Sequence, residues 1–171
     1  MGLGRFCSLM LAVVWLSISG ALAKDAALSA SGLPVPRYVS LKSDHVNVRA
    51  GPTKDNDVAW VYTRSGLPVE ITAEFENWRR VRDSEGAEGW VYHSLLSGRR
   101  TAVVTMKSKD GLASLYDRPE ATSAVAARLQ AGVVAQVKKC TNNWCRITGN
   151  GFDGWIEQQR LWGVYADEKV E

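Results

Sequence analysis

The chain contains an internal duplication, and no other feature constrains its fold as strongly. Residues 46–52 (VNVRAGP) correspond to residues 113–119 (ASLYDRP). Further matched pairs follow in the same order: Gly66 with Gly132, Ile71 with Val137, Trp78 with Trp144, Val81 with Ile147, Gly89-Trp90-Val91 with Gly154-Trp155-Ile156, Leu96 with Leu161 and Gly98 with Gly163. The separation between partners drifts only from 67 to 65 residues. A repeat of this kind predicts two copies of one small structural unit.

The hydrophobic pattern indicates that this unit is built from strands. Short β-branched and aromatic runs alternate with Gly, Pro, Asn and Asp, and no long stretch has the 3.6-residue period of an amphipathic helix. Such a pattern is typical of small all-β barrels or sandwiches. The sequence therefore predicts an all-β protein.

The motif order resembles that of the bacterial SH3-like domain: V-N-V-R-x-G-P, a glycine before a strand, W-x-x-V, G-W-V and a closing leucine. The resemblance covers residues 40–100 in full and 105–165 more loosely, because ASLYDRP keeps the proline but lacks the Arg-x-Gly turn. It implies two tandem five-stranded, strongly bent barrels, each with a short helical turn before its last strand. It also implies binding of peptidoglycan or another envelope ligand, a role that such domains often fill beside a hydrolase domain.

The N-terminus has the order of features of a secretory signal peptide. Arg5 precedes an apolar run over residues 6–18, and Ala21-Leu22-Ala23 forms a small-x-small cleavage site. The run is shorter than the roughly 20 residues that span a bilayer. We therefore expect a signal peptide over residues 1–23, cleavage after Ala23, no membrane span in the mature protein, and a periplasmic or secreted location.

These boundaries divide the remainder of the chain. Residues 24–37, rich in Ala, Ser and Pro, are expected to form a flexible leader. Barrel 1 is then expected over residues 38–100 and barrel 2 over residues 101–166. Because the run from Thr101 to Met106 is apolar enough to be a strand, the two barrels should be joined closely.

Cys140 and Cys145 are predicted to form a disulfide in an oxidising compartment. Asn142-Asn143 suits a two-residue hairpin turn, and that register places the two cysteines directly opposite each other. The matching residues of barrel 1, Glu74 and Arg79, should face each other as a surface ion pair worth a fraction of a kcal/mol. A nucleophilic cysteine is disfavoured because the two histidines, His45 and His93, lie in the other copy. A zinc site from these four residues is disfavoured because their spacing fits no compact metal knuckle.

Charge and motifs argue against several classes of function. With 21 basic and 18 acidic residues, the chain has no basic footprint for nucleic acid. Residues 149–154 match G-x-G-x-x-G, but a strand motif follows instead of the helix that a dinucleotide site requires. No metalloprotease, serine-hydrolase or phosphate-loop pattern occurs. We expect a protein that is not an enzyme and that needs no metal or cofactor.

The aromatic residues provide the candidate binding site. The repeated tryptophans are interpreted as packing. Trp60, Tyr62, Tyr92 and His93 align with the non-aromatic residues Ala126, Arg128, Glu157 and Gln158. Because a position that holds Arg or Glu in one copy should not be core in the other, an exposed aromatic patch on barrel 1 is predicted, with Arg49 and His93 at its edge. Packing between domains is the structural alternative for these rings.

The leading functional hypothesis is a non-catalytic exported module whose barrel 1 binds peptidoglycan or an envelope peptide through this patch. A structural or adaptor domain that docks on an envelope protein is the alternative. A small cell-wall hydrolase is a third hypothesis, and it has the least support from the sequence.

Overall fold

The computed structural model describes residues 29–105 and 111–171. Within them the chain forms fourteen strands, two short 3-10 turns and no α-helix. The predicted signal peptide, its cleavage site and the first part of the leader lie outside the described residues. No helix in the described ranges is long and apolar enough to cross a membrane.

The strands fall into two antiparallel sheets of identical topology. The first sheet contains β1 (Arg37–Leu41), β2 (Val46–Arg49), β3 (Val58–Tyr62), β4 (Pro68–Phe75), β5 (Trp78–Arg82), β6 (Glu88–Tyr92) and β7 (Leu96–Ser97). The second contains β8 (Thr101–Val104), β9 (Ala113–Tyr116), β10 (Val125–Leu129), β11 (Val134–Thr141), β12 (Trp144–Gly149), β13 (Phe152–Glu157) and β14 (Leu161–Trp162). Their strand orders, β3-β2-β6-β5-β4-β1-β7 and β10-β9-β13-β12-β11-β8-β14, match position for position. The predicted duplication is confirmed.

Each sheet has seven strands, two more than the resemblance implies. The segment ahead of the VNVRAGP motif forms β1, which pairs with both β4 and the two-residue β7. The expected helical turn is present in each copy, at His93–Leu95 and Gln158–Arg160, directly before the closing strand. The apolar run at Thr101 is a strand, as predicted, and it is the equivalent of β1 in barrel 2.

The sheets bend because their long central strands carry bulges. The register shifts between Ile71 and Ala73 in β4, and between Val137 and Lys139 at the same place in β11. A bulge kinks a strand and increases its twist, which lets one sheet curl around its own core. Separate clusters of buried aliphatic side chains fill the two barrels, built around Val48 and Ile71 in one and Leu115 and Ile147 in the other.

The two barrels meet in an interface centred on Tyr38 of β1. Its ring lies 5.0 Å from that of Trp162 and 4.6 Å from that of Tyr165 in the C-terminal segment. The Tyr165 hydroxyl donates to Glu70 Oε1 at 2.9 Å, and Glu70 is only 4% exposed. Burial, followed by the hydrogen bond to Glu70, raises the pKa of Tyr165, so the hydroxyl keeps its proton. The interface therefore combines ring packing with a buried polar contact.

We expect Tyr165→Ala to speed hydrogen exchange in β1 of barrel 1, because the substitution removes both the ring against Tyr38 and the donor to Glu70. Tyr116→Ala is the matched control, since Tyr116 is another half-buried tyrosine but packs within barrel 2, 5.6 Å from Trp144. Amide exchange followed by NMR measures the effect. Unchanged protection of β1 in Tyr165→Ala would show that the barrels do not stabilise each other.

Candidate binding groove on barrel 1

The outer face of β2, β5 and β6 carries a groove of about 300 Å³ lined by aromatic and basic side chains. Along β6, Gly89 and Val91 are buried, so Trp90 and Tyr92 point to the opposite face of the strand. Trp78 of β5 lies directly across from Tyr92. The residues that line the groove are Asn47, Arg49, Lys54, Trp78, Tyr92, Ser94 and Leu95.

Trp78 and Tyr92 form the aromatic part of this groove. Their rings lie 5.4 Å apart in an edge-to-face arrangement, a favourable geometry for two aromatic quadrupoles. Trp78 is only 8% exposed, and the Tyr92 ring packs against it. Tyr92 is half-buried and also contacts the His93 ring, at 5.0 Å. The pair offers an incoming ligand a preformed apolar surface.

Two cations line the groove, and among the residues that the structure describes no carboxylate does. Lys54 is exposed in the loop after β2. Arg49 donates from Nη1 to the Asn56 carbonyl oxygen at 2.6 Å, which ties that loop to the strand and leaves the positive charge at the groove. Gly51 belongs to the same loop, where a Cβ atom would lie 2.5 Å from Asn56 Oδ1. The Arg-x-Gly of the VNVRAGP motif therefore shapes the loop that holds Lys54.

The predicted patch residues separate into two groups. Arg49 and Tyr92 come together in the groove, with His93 against Tyr92. His93 is exposed and lines a neighbouring groove beside Arg37, Arg79 and Tyr38. Trp60 and Tyr62 lie elsewhere, 6.0 Å from each other, and pack on the core of barrel 1.

The prediction that Tyr62 is an exposed ring is wrong. Tyr62 is 8% exposed, and its hydroxyl donates to Asp83 Oδ2 at 3.0 Å. Burial, followed by the nearby Asp83 charge, raises its pKa above the ordinary value. Trp60 is half-buried and reaches over Gly89, where a Cβ atom would come within 3.0 Å of its ring. Neither ring belongs to an exposed patch.

The error arises from a one-residue slip in the alignment of β3 with β10. Tyr62 pairs with Val46, and its structural equivalent is Leu129, which pairs with Ala113. Trp60 pairs with Val48, just as Ala127 pairs with Leu115. Side chains alternate between the two faces of a strand. A slip of one residue therefore aligned Trp60 and Tyr62 with residues on the exposed face of β10 instead of with Ala127 and Leu129 on its core face.

The prediction for the two cysteines is confirmed. Cys140 and Cys145 face each other across β11 and β12 and form a disulfide. Asn142 and Asn143 both have positive φ, 49° and 63°, as the type I′ hairpin turn requires. In barrel 1, Glu74 lies opposite Arg79, also as predicted.

The Glu74–Arg79 pair is more buried than the sequence suggested. Arg37 of β1 also binds Glu74 Oε1, at 2.6 Å, and the Glu74 side chain is only 1% exposed. The Ser31 backbone N–H and hydroxyl donate to the two oxygens of the same carboxylate, at 2.8 and 2.9 Å. Burial alone would raise the pKa of Glu74, but these donors lower it to about 2. Residues ahead of β1 are thereby attached to barrel 1, although the leader was expected to be flexible.

Comparison with known proteins supports the fold. A family model described as the bacterial SH3 domain matches residues 42–98 and again residues 109–163. A comparison with curated protein sequences finds no significant match.

Several solved structures are similar to this chain. NlpC2 from Trichomonas vaginalis is 16% identical with a TM-score of 0.33, and the match covers 74% of this chain and 48% of that one. NlpC1 from the same organism is 18% identical with a TM-score of 0.33, covering 83% and 50%. An NlpC/P60 family protein from Bacillus cereus is 12% identical with a TM-score of 0.29, covering 73% and 55%. The chain thus spans about half the length of these structures.

The two family matches coincide with the two sheets and include most of their strands. Bacterial SH3 domains are binding modules and are not themselves catalytic. The chain belongs to the bacterial SH3 domain family and contains two copies of the domain in tandem.

Proposed function

We propose that this protein is an exported, non-catalytic binding module of the bacterial envelope, and that the groove of barrel 1 recognises a carboxylate-bearing peptide such as the stem peptide of peptidoglycan. The observation that supports this best is the composition of the groove: an aromatic pair, Trp78 and Tyr92, beside the cations of Arg49 and Lys54. Export rests on the sequence features of residues 1–23.

The groove suits a ligand that is both apolar and anionic. Aromatic rings bury much area at little cost in conformational entropy, and they are frequent energetic centres of binding sites. Arginine binds carboxylates with a planar fork of donors, whereas lysine at a rim mainly attracts and orients charge. A peptide with exposed carboxylates satisfies both parts of the groove. A purely cationic or purely apolar ligand would leave Arg49 and Lys54 without a partner.

Sedimentation with isolated peptidoglycan sacculi tests the proposal. We expect the purified protein to sediment with sacculi, and Lys54→Glu to lower its apparent affinity roughly tenfold at low salt. Lys138→Glu is the matched control, because Lys138 is an exposed lysine on β11, away from the groove, and undergoes the same change of charge. Equal binding by the two variants would contradict the assignment of the groove.

A second pair of variants tests the aromatic part. Tyr92→Ser removes the ring that packs on Trp78 in barrel 1. Phe152→Ser is the matched control, because Phe152 is a half-buried ring of barrel 2 that lines neither of the grooves on the two aromatic pairs. Only Tyr92→Ser should reduce binding to sacculi, with both variants folded by circular dichroism. If wild-type protein does not sediment but is crosslinked to an envelope protein, the adaptor alternative is favoured.

A further inference from the structure

Barrel 2 keeps the aromatic pair of the barrel 1 groove but takes its tyrosine from a different strand. Tyr116 of β9 packs edge-to-face on Trp144 at 5.6 Å, much as Tyr92 of β6 packs on Trp78. Tyr116 pairs with Trp155 in barrel 2, and Arg49 pairs with Trp90 in barrel 1. Because Trp155 and Trp90 are matched positions of the repeat, Tyr116 is the structural equivalent of Arg49. The strand register also makes Glu157 the equivalent of Tyr92. Barrel 1 therefore has its charged residue on β2 and its tyrosine on β6, whereas barrel 2 has its tyrosine on β9 and its charged residue on β13. The charge is positive in barrel 1 and negative in barrel 2.

Barrel 2 has a groove of about 400 Å³ beside Trp144 and Glu157. The groove is lined by Trp144, by the aliphatic residues Leu161 and Val164, and by the acidic residues Glu157 and Asp167. No lysine or arginine of the described residues lines it. The barrel 1 groove, which contains the equivalent residues Trp78, Tyr92 and Ser94, is lined by two cations and by no carboxylate of the described residues.

The C-terminal segment that contributes Val164 and Asp167 to the groove is held in place by several contacts. The buried Gln158 side chain donates to the carbonyl oxygens of Tyr165 and Glu168 at 2.7 and 3.0 Å. Arg100 binds both carboxylate oxygens of Glu168, at 2.7 and 3.0 Å. Val170 also pairs with the backbone of Cys140 beside the disulfide. Because these contacts fix the segment that carries Val164 and Asp167, little ordering is required when a ligand binds.

Glu157 retains capacity for a further donor. Its Oε2 atom accepts from Arg160 Nε at 2.8 Å and from Gln159 Nε2 at 3.3 Å. Its Oε1 atom has no hydrogen bond to the described part of the chain. Arg160 offsets the charge of Glu157. The net charge of the groove is nevertheless negative, because the carboxylate of Asp167 also lines it.

From this arrangement we propose that the barrel 2 groove binds a primary ammonium group on an aliphatic stem, as in the side chain of lysine or of another diamino acid. An ammonium ion is attracted both by carboxylates and by the face of a tryptophan ring. Its methylene stem can pack on Leu161 and Val164 while the charged head stays near water. The site lies on a different barrel from the proposed carboxylate groove. Together the two grooves suit an envelope peptide that carries both groups.

The test is an NMR titration of the full chain that follows the Trp144 indole N–H. The probe is Nα-acetyl-L-lysine methylamide, and Nα-acetyl-L-norleucine methylamide is the uncharged probe of similar length. We expect a saturable shift with the lysine probe and a much weaker response to the norleucine probe. Glu157→Gln should raise the dissociation constant for the lysine probe by about fivefold to tenfold.

The matched protein control is Glu120→Gln, which makes the same change at an exposed glutamate outside the groove. It should bind the lysine probe like the wild type. No shift of Trp144, equal response to both probes, or equal binding by Glu157→Gln and Glu120→Gln would overturn the proposal. Failure of the proposed barrel 1 groove would appear in a different experiment, the sedimentation of Lys54→Glu and Tyr92→Ser with sacculi.

Discussion

Glu74→Ala should lower the free energy of unfolding of barrel 1 by about 3 kcal/mol, which is a large part of the stability of so small a domain. The carboxylate lies between Arg37 and Arg79, whose side chains are only 17% and 10% exposed. Removal of the shared anion leaves two largely buried guanidinium groups without their partner. Such a loss costs far more than the loss of an exposed ion pair.

Glu88→Ala is the matched control, because Glu88 binds Arg80 at 2.6 Å but both side chains are substantially exposed. We expect it to cost less than about 1 kcal/mol. Urea unfolding followed by tryptophan fluorescence measures both variants. Equal destabilisation by the two substitutions would contradict the assignment of Glu74 as the central anion of a buried network.

The same carboxylate predicts how stability depends on pH. Its pKa is about 2 in the folded protein, against an ordinary value of 4.5. A carboxyl group whose pKa is lower in the folded than in the unfolded protein contributes its full stabilisation when the pH is above the unfolded pKa. This contribution is lost as the pH falls from about 5 to 2. Stability should therefore fall over this range in the wild type. The fall should be shallower in Glu74→Gln, and identical slopes would count against the network.

Loss of the disulfide gives the second large effect. Replacing both Cys140 and Cys145 by Ala should destabilise barrel 2 by about 2 kcal/mol, because the bond closes a six-residue loop and restricts the unfolded chain. Reduction of the wild type by dithiothreitol should have a similar effect. Hydrogen exchange in β11 and β12 is the measurement, and barrel 1 amides serve as the internal control. Unchanged protection of barrel 2 after reduction would contradict the prediction.

The sequence was sufficient to predict the features that depend on local pairing. The Cys140–Cys145 register followed from a two-residue Asn-Asn turn, because turn geometry fixes which residues of a hairpin face each other. The same reasoning placed Glu74 opposite Arg79. It could not find Arg37, since that contact joins strands 37 residues apart in sequence.

The binding groove was predicted only in part. Tyr92 was identified because it differs from its counterpart in barrel 2, and Arg49 was placed at the edge of the predicted patch. Trp78 was missed because its repetition as Trp144 suggested packing alone, whereas each of these rings packs and also lines a groove. Trp60 and Tyr62 were misassigned because loop-length differences between the copies hid the register of β3.

The inter-barrel contacts were also beyond the sequence. Tyr38, Trp162 and Tyr165 have no motif that distinguishes them from other aromatic residues of the chain. Their role depends on how the second sheet packs against the first, which pairs Tyr165 with the buried carboxylate of Glu70. Internal comparison of two copies cannot show such a contact, because it joins positions that are not equivalent in the repeat.

Chemical-shift mapping with soluble peptidoglycan fragments tests the central claim most directly. If the barrel 1 groove recognises a carboxylate-bearing envelope peptide, the indole N–H of Trp78 and the amides of Lys54 and Tyr92 should shift in a saturable manner. Fragments whose carboxylates have been amidated should shift them much less. The account would be contradicted if the resonances of the groove stayed unchanged while the rest of the protein responded. It would also be contradicted if these resonances responded equally to the amidated fragments.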